Sequence, residues 1–210
     1  MLDGGLPVGE ISEITGSASS GRTSLALAFI AQRTNAGQVC AWVDVGDALD
    51  PESAAASGVN LRRLLWVRCQ SEAAQAKGKP WSRLDQALRV TDLLIHAGGF
   101  AAIVIDMGDL PPEHGRRITL ATWYRYRQAA YESRTSLVVV GNAGYAQASA
   151  AIVLECSPRN PHSANRTVWD NHAFDVKLTR EKLATPQGSM RKPPASTWTT
   201  KSAWAIGTKP

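Results

Sequence analysis

Residues 10–23 read EISEITGSASSGRT, and SLALAFIA follows at 24–31. An apolar strand-like run, a Gly/Ser-rich turn and a helix-forming run in that order are the layout of a phosphate-binding loop, G-x-x-x-x-G-K-[ST], in which backbone N–H groups surround phosphate oxygens at a helix N-terminus. Here Gly16 and Gly21 hold the glycine positions, Thr23 supplies the hydroxyl that would hold magnesium, and Arg22 stands where the pattern has lysine. Arginine keeps the positive charge, but its planar fork is longer and misfits a transition state that a compact ammonium serves. Two readings therefore stand at this point. In one, Gly16, Ser17, Ser19, Ser20, Gly21, Arg22, Thr23 and Ser24 bind a nucleotide that is hydrolysed poorly; in the other, they are a turn that starts a helix and holds no ligand.

Outward from this loop, strand-like runs are expected at 10–15, 39–44, 64–68, 102–106, 136–141 and 151–156, with helices at about 22–35, 51–57, 81–97 and 114–132. The runs lack polar alternation, and helices separate them, which predicts an α/β fold with a mostly parallel central sheet covered on both faces. Ligands of such a sheet bind beyond the carboxyl ends of its strands. Asp106 ends the run AIVID at one of those ends, either as the acid that positions magnesium through water or as a turn residue.

The chain has 210 residues, 44% of them hydrophobic, enough to bury the core of one domain. The expected division is a core over 1–186, with 157–186 as a peripheral hairpin, and a basic tail over 187–210 that lacks helix or strand periodicity. Charge follows this division: residues 1–156 hold 14 Lys and Arg against 15 Asp and Glu, and residues 157–210 hold 9 against 3. The last quarter is thus the part suited to phosphates or an acidic partner. No signal-peptide pattern and no membrane-length apolar run are seen. Cys40, Cys69 and Cys156, odd in number and set in strand-like runs, read as buried reduced thiols, and the cytoplasm is the expected location.

A longer stretch carries a family resemblance. GGLPVGEISEITGSASSGRTSLALAFIAQRTNAGQVCAWVDVGDALDPESAAASGVNLRRLLWV, residues 4–67, resembles the P-loop ATPase core of RecA recombinases, with the GGLP-x-G opening, S-S-G before the phosphate-loop cation, and ALDP before a G-V turn. The likeness continues more weakly to about residue 186. LLWVRC, AGGFAAIVIDMG and LATWYRYRQAA are more similar to ImuA-type RecA-like proteins, which are encoded with error-prone polymerase components in bacterial SOS mutagenesis cassettes.

The resemblance implies a RecA-like core with ATP and magnesium as its ligands, held by the loop, Asp50 and Asp106, with Thr23 and Asp106 at the metal. It also implies losses. Gly46 occupies the position of the glutamate that activates the attacking water, leaving Asp47 as a shorter substitute, and Ser53 replaces the aromatic residue that stacks on adenine. Asn142 matches the glutamine that senses the γ-phosphate, and the two DNA-binding loops shrink to about MGDLPPEHG and GYAQASA. Arg180 and Lys182 match two cations that reach the nucleotide of a neighbouring subunit, although the chain starts almost at GGLP, without the preceding helix and strand that build the RecA filament.

Function then reads as a RecA-like accessory protein of DNA repair, the SOS response and translesion synthesis, with RecA, error-prone polymerase components and single-stranded DNA as expected partners and no membrane role. An active DNA-dependent ATPase and a cell-division inhibitor resembling SulA are the alternatives. ITLATWYRYRQAAYESR, residues 118–134, fits either a base-stacking DNA surface or an amphipathic helix packed on the sheet. Trp198 and Trp204 in the basic tail fit partner anchors or an ordinary tail.

Overall fold

The structure is a computed structural model that describes residues 5–69, 80–108, 110–159, 171–182 and 196–201. The strands are β1 (Ile11–Gly16), β2 (Cys40–Asp44), β3 (Leu64–Arg68), β4 (Ala102–Asp106), β5 (Ser136–Gly141), β6 (Ala150–Pro158), β7 (Asn171–Glu181) and β8 (Ser196–Lys201). The helices are α1 (Arg22–Asn35), α2 (Pro51–Ala56), α3 (Pro80–Ala97), α4 (Pro112–Gly115) and α5 (Leu120–Ser133). One eight-stranded sheet runs β3-β2-β4-β5-β1-β6-β7-β8. Neighbours from β3 to β6 pair in parallel, and β7 and β8 close the far side antiparallel.

The unbroken apolar runs follow from burial on two faces. In β4, Ala102 and Val104 join a core with Ile14, Ile30 and Trp42 beneath α1, while Ile103 and Ile105 join a second core with Leu84, Trp123 and Tyr126 beneath α3 and α5. Each apolar side chain so buried contributes about 1.5–3 kcal/mol. All three cysteines are buried and free, and burial pushes the thiols of Cys40, Cys69 and Cys156 up to about 11. Among the described residues no helix is long and apolar enough to cross a membrane.

Three expectations need revision. The helix expected over 114–132 is two helices, because Thr119 is extended and its hydroxyl accepts the Thr122 amide at 3.2 Å, capping a new helix at Leu120. The segment expected as a peripheral hairpin instead extends the main sheet: Phe174, Val176 and Leu178 of β7 are buried in the α1-side core. The tail contributes β8, whose register places Trp198 opposite Phe174. Trp204 lies outside the described residues.

The aromatic helix α5 packs as an amphipathic element. Trp123 and Tyr126 are fully buried and meet edge to face at 6.0 Å, and Tyr124 and Tyr131 face outward. Its arginines hold acids of the same chain: Arg127 binds Glu10 through two bonds of 2.8 and 3.0 Å, and Arg125 reaches Asp92 at 3.1 Å.

Candidate functional site

The loop from Gly16 to Thr23 joins the carboxyl end of β1 to α1. Gly21 caps α1 with φ +86° and, having no side chain, makes no cap bond to the helix's first amides. Those amides lie at the end of the helix where the dipole favours an anion. Both glycines are required by space. A Cβ on Gly16 would come within 2.3 Å of Ser20 Oγ and 2.6 Å of the Cys156 carbonyl, and one on Gly21 would come within 2.3 Å of the Phe174 ring. Ser20 donates its amide to the Ser17 carbonyl at 3.2 Å; its hydroxyl is buried without a hydrogen-bond partner among the described residues. Ser19 adopts φ +59° and, like Ser17, is exposed; Ser24 is half-buried.

Arg22 is 8% exposed and turns back across the loop. Its guanidinium donates to the Gly16 carbonyl and, at 3.2 Å, to the Gly108 carbonyl, tying the end of β1 to the end of β4. Beside it opens a cavity of about 610 Å³, lined by Arg22, Thr23, Gly46, Asp50, Ser53 and Asp106, with Leu27, Val45, Leu49, Met107 and Leu110 as its apolar part and Arg83 on α3. That volume lies within the range of small-ligand sites. β2 and β4 end in register at Asp44 and Asp106, so the cavity lies beyond the carboxyl ends of parallel strands.

The sequence-selected residues divide into those at this cavity and those away from it. Arg22, Thr23, Asp50 and Asp106 line it, as do the altered positions Gly46 and Ser53. Asp50 is engaged as the cap of α2, accepting the Ser53 hydroxyl at 2.5 Å and the Ser53 amide at 3.0 Å, and these bonds hold its carboxyl below its ordinary range. Asp106 accepts the Gly108 amide at 2.9 Å.

Asp47 does not line the cavity. With φ +55°, it presents both carboxylate oxygens to Arg68 at 2.5 and 2.9 Å. Nor does Asn142, whose Oδ1 accepts the Tyr145 hydroxyl at 2.6 Å. Arg180 donates to the Gln147 carbonyl and Lys182 to the Ala148 carbonyl at 2.6 Å, so within this chain both hold the turn after β5.

Sequence reasoning missed Arg83, Tyr145 and Glu13. Glu13 is 2% exposed on β1, and its Oε1 accepts the amides of Tyr145 at 2.5 Å and Ala146 at 2.7 Å. Burial raises its pKa, against the lowering effect of those amides and of Arg180. A raised folded pKa means the folded chain binds more protons between the unfolded and folded values. Glu13 therefore contributes stability below its unfolded value, and that contribution is lost as pH rises through the folded one. Glu13→Gln is expected to flatten this part of the stability–pH curve, as measured by thermal unfolding from pH 4 upward; an unchanged curve would count against the assignment.

Comparison with known proteins agrees with this architecture. The RecA N-terminal domain family matches residues 2–114. Protein RecA of Pseudomonas fluorescens strain Pf-5 is 42% identical over 103 residues, covering 49% of this chain and 26% of that protein. Protein RecA of Deinococcus radiodurans is 40% identical over 103 residues, covering 49% and 25% respectively. The chain thus spans about a quarter of the length of these relatives. The crystal structure of the RadB recombinase is similar over 95% of this chain and 90% of its own, with a TM-score of 0.60 and 16% identity, a likeness of fold.

Proposed function

Because the chain belongs to the RecA N-terminal domain family, we propose that it is a RecA-like accessory protein of bacterial DNA repair that binds ATP and magnesium and hydrolyses ATP poorly. The observation that carries this reading is one cavity with two histories. Arg22, Thr23 and Asp106 line it, the residues that the RecA resemblance places at phosphate and magnesium, and so does Gly46, where the resemblance has a water-activating glutamate. The N-terminus of α1 behind the Gly21 cap, the buried Ser20 hydroxyl and the cavity volume all suit a phosphate-bearing ligand. Thr23 and Asp106 are the groups that would hold magnesium, which would supply charge neutralisation at the phosphates. The substitute base Asp47 is held by Arg68 and does not line the cavity, which keeps it from an attacking water there.

Within the family, the reading extends to an ImuA-type role in SOS mutagenesis and translesion synthesis, through contacts with RecA or an error-prone polymerase. Its support is the similarity of LLWVRC, AGGFAAIVIDMG and LATWYRYRQAA to those proteins. The short loops after β4 and β5 support contact with proteins over a grip on DNA: Tyr145 packs against Gly115 of the first and binds Asn142 of the second.

Titration with ATP, with and without magnesium, tests the nucleotide part. Saturable, magnesium-dependent binding with little phosphate release is expected. Sustained DNA-stimulated turnover that Asp106→Ala abolishes would overturn it in favour of an active ATPase. Affinity capture by purified RecA and polymerase components tests the accessory role, and capture by none of them would count against it.

A further inference from the structure

We propose that Arg83 is the terminal-phosphate receptor of the cavity, a cation supplied by the same chain that selects a nucleoside triphosphate over the diphosphate. This rests on the nucleotide reading above.

Arg83 sits in the first turn of α3, and its side chain lines the cavity together with Arg22, Thr23, Gly46 and Asp106. Arg22, the other cation lining the cavity, is already engaged, as are cations outside the lining. Arg22 holds the Gly16 and Gly108 carbonyls, Arg68 holds Asp47, and Arg180 and Lys182 hold the carbonyls of Gln147 and Ala148. Among the described residues, Arg83 makes no hydrogen bond or ion pair. A half-buried guanidinium has five donors and a permanent charge, and an anion that enters the cavity would complete it.

Its position suits the outermost phosphate. Cys69, which follows β3, has its thiol pushed up to about 11, chiefly by burial, while the charge of Arg83 pulls the other way. The Cys69 amide donates to the Asp44 carbonyl at 3.0 Å, which places Arg83 by the carboxyl ends of β2 and β3. A phosphate chain held at the α1 N-terminus beside Thr23 would share one cavity with Arg83 and Gly46.

Gly46 lies on the same wall. A glutamate there would offset the charge of Arg83; glycine leaves that charge for the ligand. The two residues therefore act in one direction, toward holding a triphosphate without splitting it. A planar fork that binds terminal-phosphate oxygens through two donors gives a preference that a distant surface charge would not.

Equilibrium titration of the full chain with ATP and with ADP, magnesium present, tests this. The unsubstituted chain is expected to bind ATP about tenfold or more tightly than ADP, the size of one charge-assisted contact. Arg83→Gln should bring ATP affinity down to that of ADP and leave ADP affinity unchanged, and Arg83→Lys should keep part of the preference. If Arg83→Gln binds both nucleotides with the original ratio, or weakens both equally, the assignment of Arg83 is overturned and the nucleotide reading stands. Binding of neither nucleotide to the unsubstituted chain overturns both. Melting curves of the variants show whether each is folded, and an unchanged ratio in a folded Arg83→Lys together with an unfolded Arg83→Gln also counts against the assignment.

Discussion

Glutamate placed at position 46 is expected to raise magnesium-dependent ATP turnover by about 10²-fold or more, the usual contribution of a positioned general base. Gly46 lines the cavity, and its backbone does not need glycine: no positive φ is recorded there. A Cβ at this site would stand 3.8 Å from Ala48 Cβ and 3.9 Å from Asp44 Oδ1, ordinary contact distances. A Cβ can therefore be added without moving the wall. Its neighbour Asp47 cannot act in its place while Arg68 holds both of its oxygens. Single-turnover phosphate release measures the effect, with Gly46→Gln as the control that has the shape and lacks the base. If Gly46→Glu binds ATP but releases phosphate no faster than Gly46→Gln, a missing base is not what limits this site. Arg22→Lys in the same background should add to the gain, because a compact ammonium need not stay tied to the Gly16 and Gly108 carbonyls.

The parts of the fold that were legible in the sequence are those where one local rule acts alone. β2, β4 and β5 are buried along their whole length and stand out as apolar runs, and α2 announces itself through Asp50 and Pro51, a capping acid followed by the residue best suited to a first helical turn. The split between α4 and α5 was missed because the apolar pattern across 114–132 outweighed one capping threonine, Thr119. β8 was missed because its partner decides it: STWTTK is a strand by pairing with β7, and the sequence around it is rich in turn and basic residues. The loop and its altered positions were legible because they depend on order along the chain. Glu13 and Arg83 were not, since a carboxylate in a strand and an arginine in a helix look like solvated residues until the fold brings loop amides 132 and 133 positions away to the first and a cavity wall to the second.

Tyr145→Ala is expected to cost about 3–5 kcal/mol of stability, the range for deleting a large buried aromatic side chain. The ring is fully buried, and it occupies space that two glycines leave open: a Cβ on Gly115 would come within 2.2 Å of it, and one on Gly141 within 2.5 Å. Its hydroxyl donates to Asn142 Oδ1 at 2.6 Å and lies 3.1 Å from the Leu110 carbonyl, while its amide donates to Glu13. One residue thus bolts the loop after β4 to the loop after β5 and to β1. Removing the ring leaves a cavity beside the backbone of Gly115 and Gly141. At roughly 2–4 °C per kcal/mol for a domain of this size, the melting temperature should fall by about 10 °C. Tyr145→Phe separates packing from hydrogen bonding and should cost about 1 kcal/mol. A Tyr145→Ala variant that melts within about 2 °C of the unsubstituted chain would show that the two loops are held by other means. Since Leu110 also lines the cavity, loss of the bolt should weaken nucleotide binding in Tyr145→Ala more than in Tyr145→Phe, and the two variants together measure how far the loop after β4 depends on its partner to shape the site.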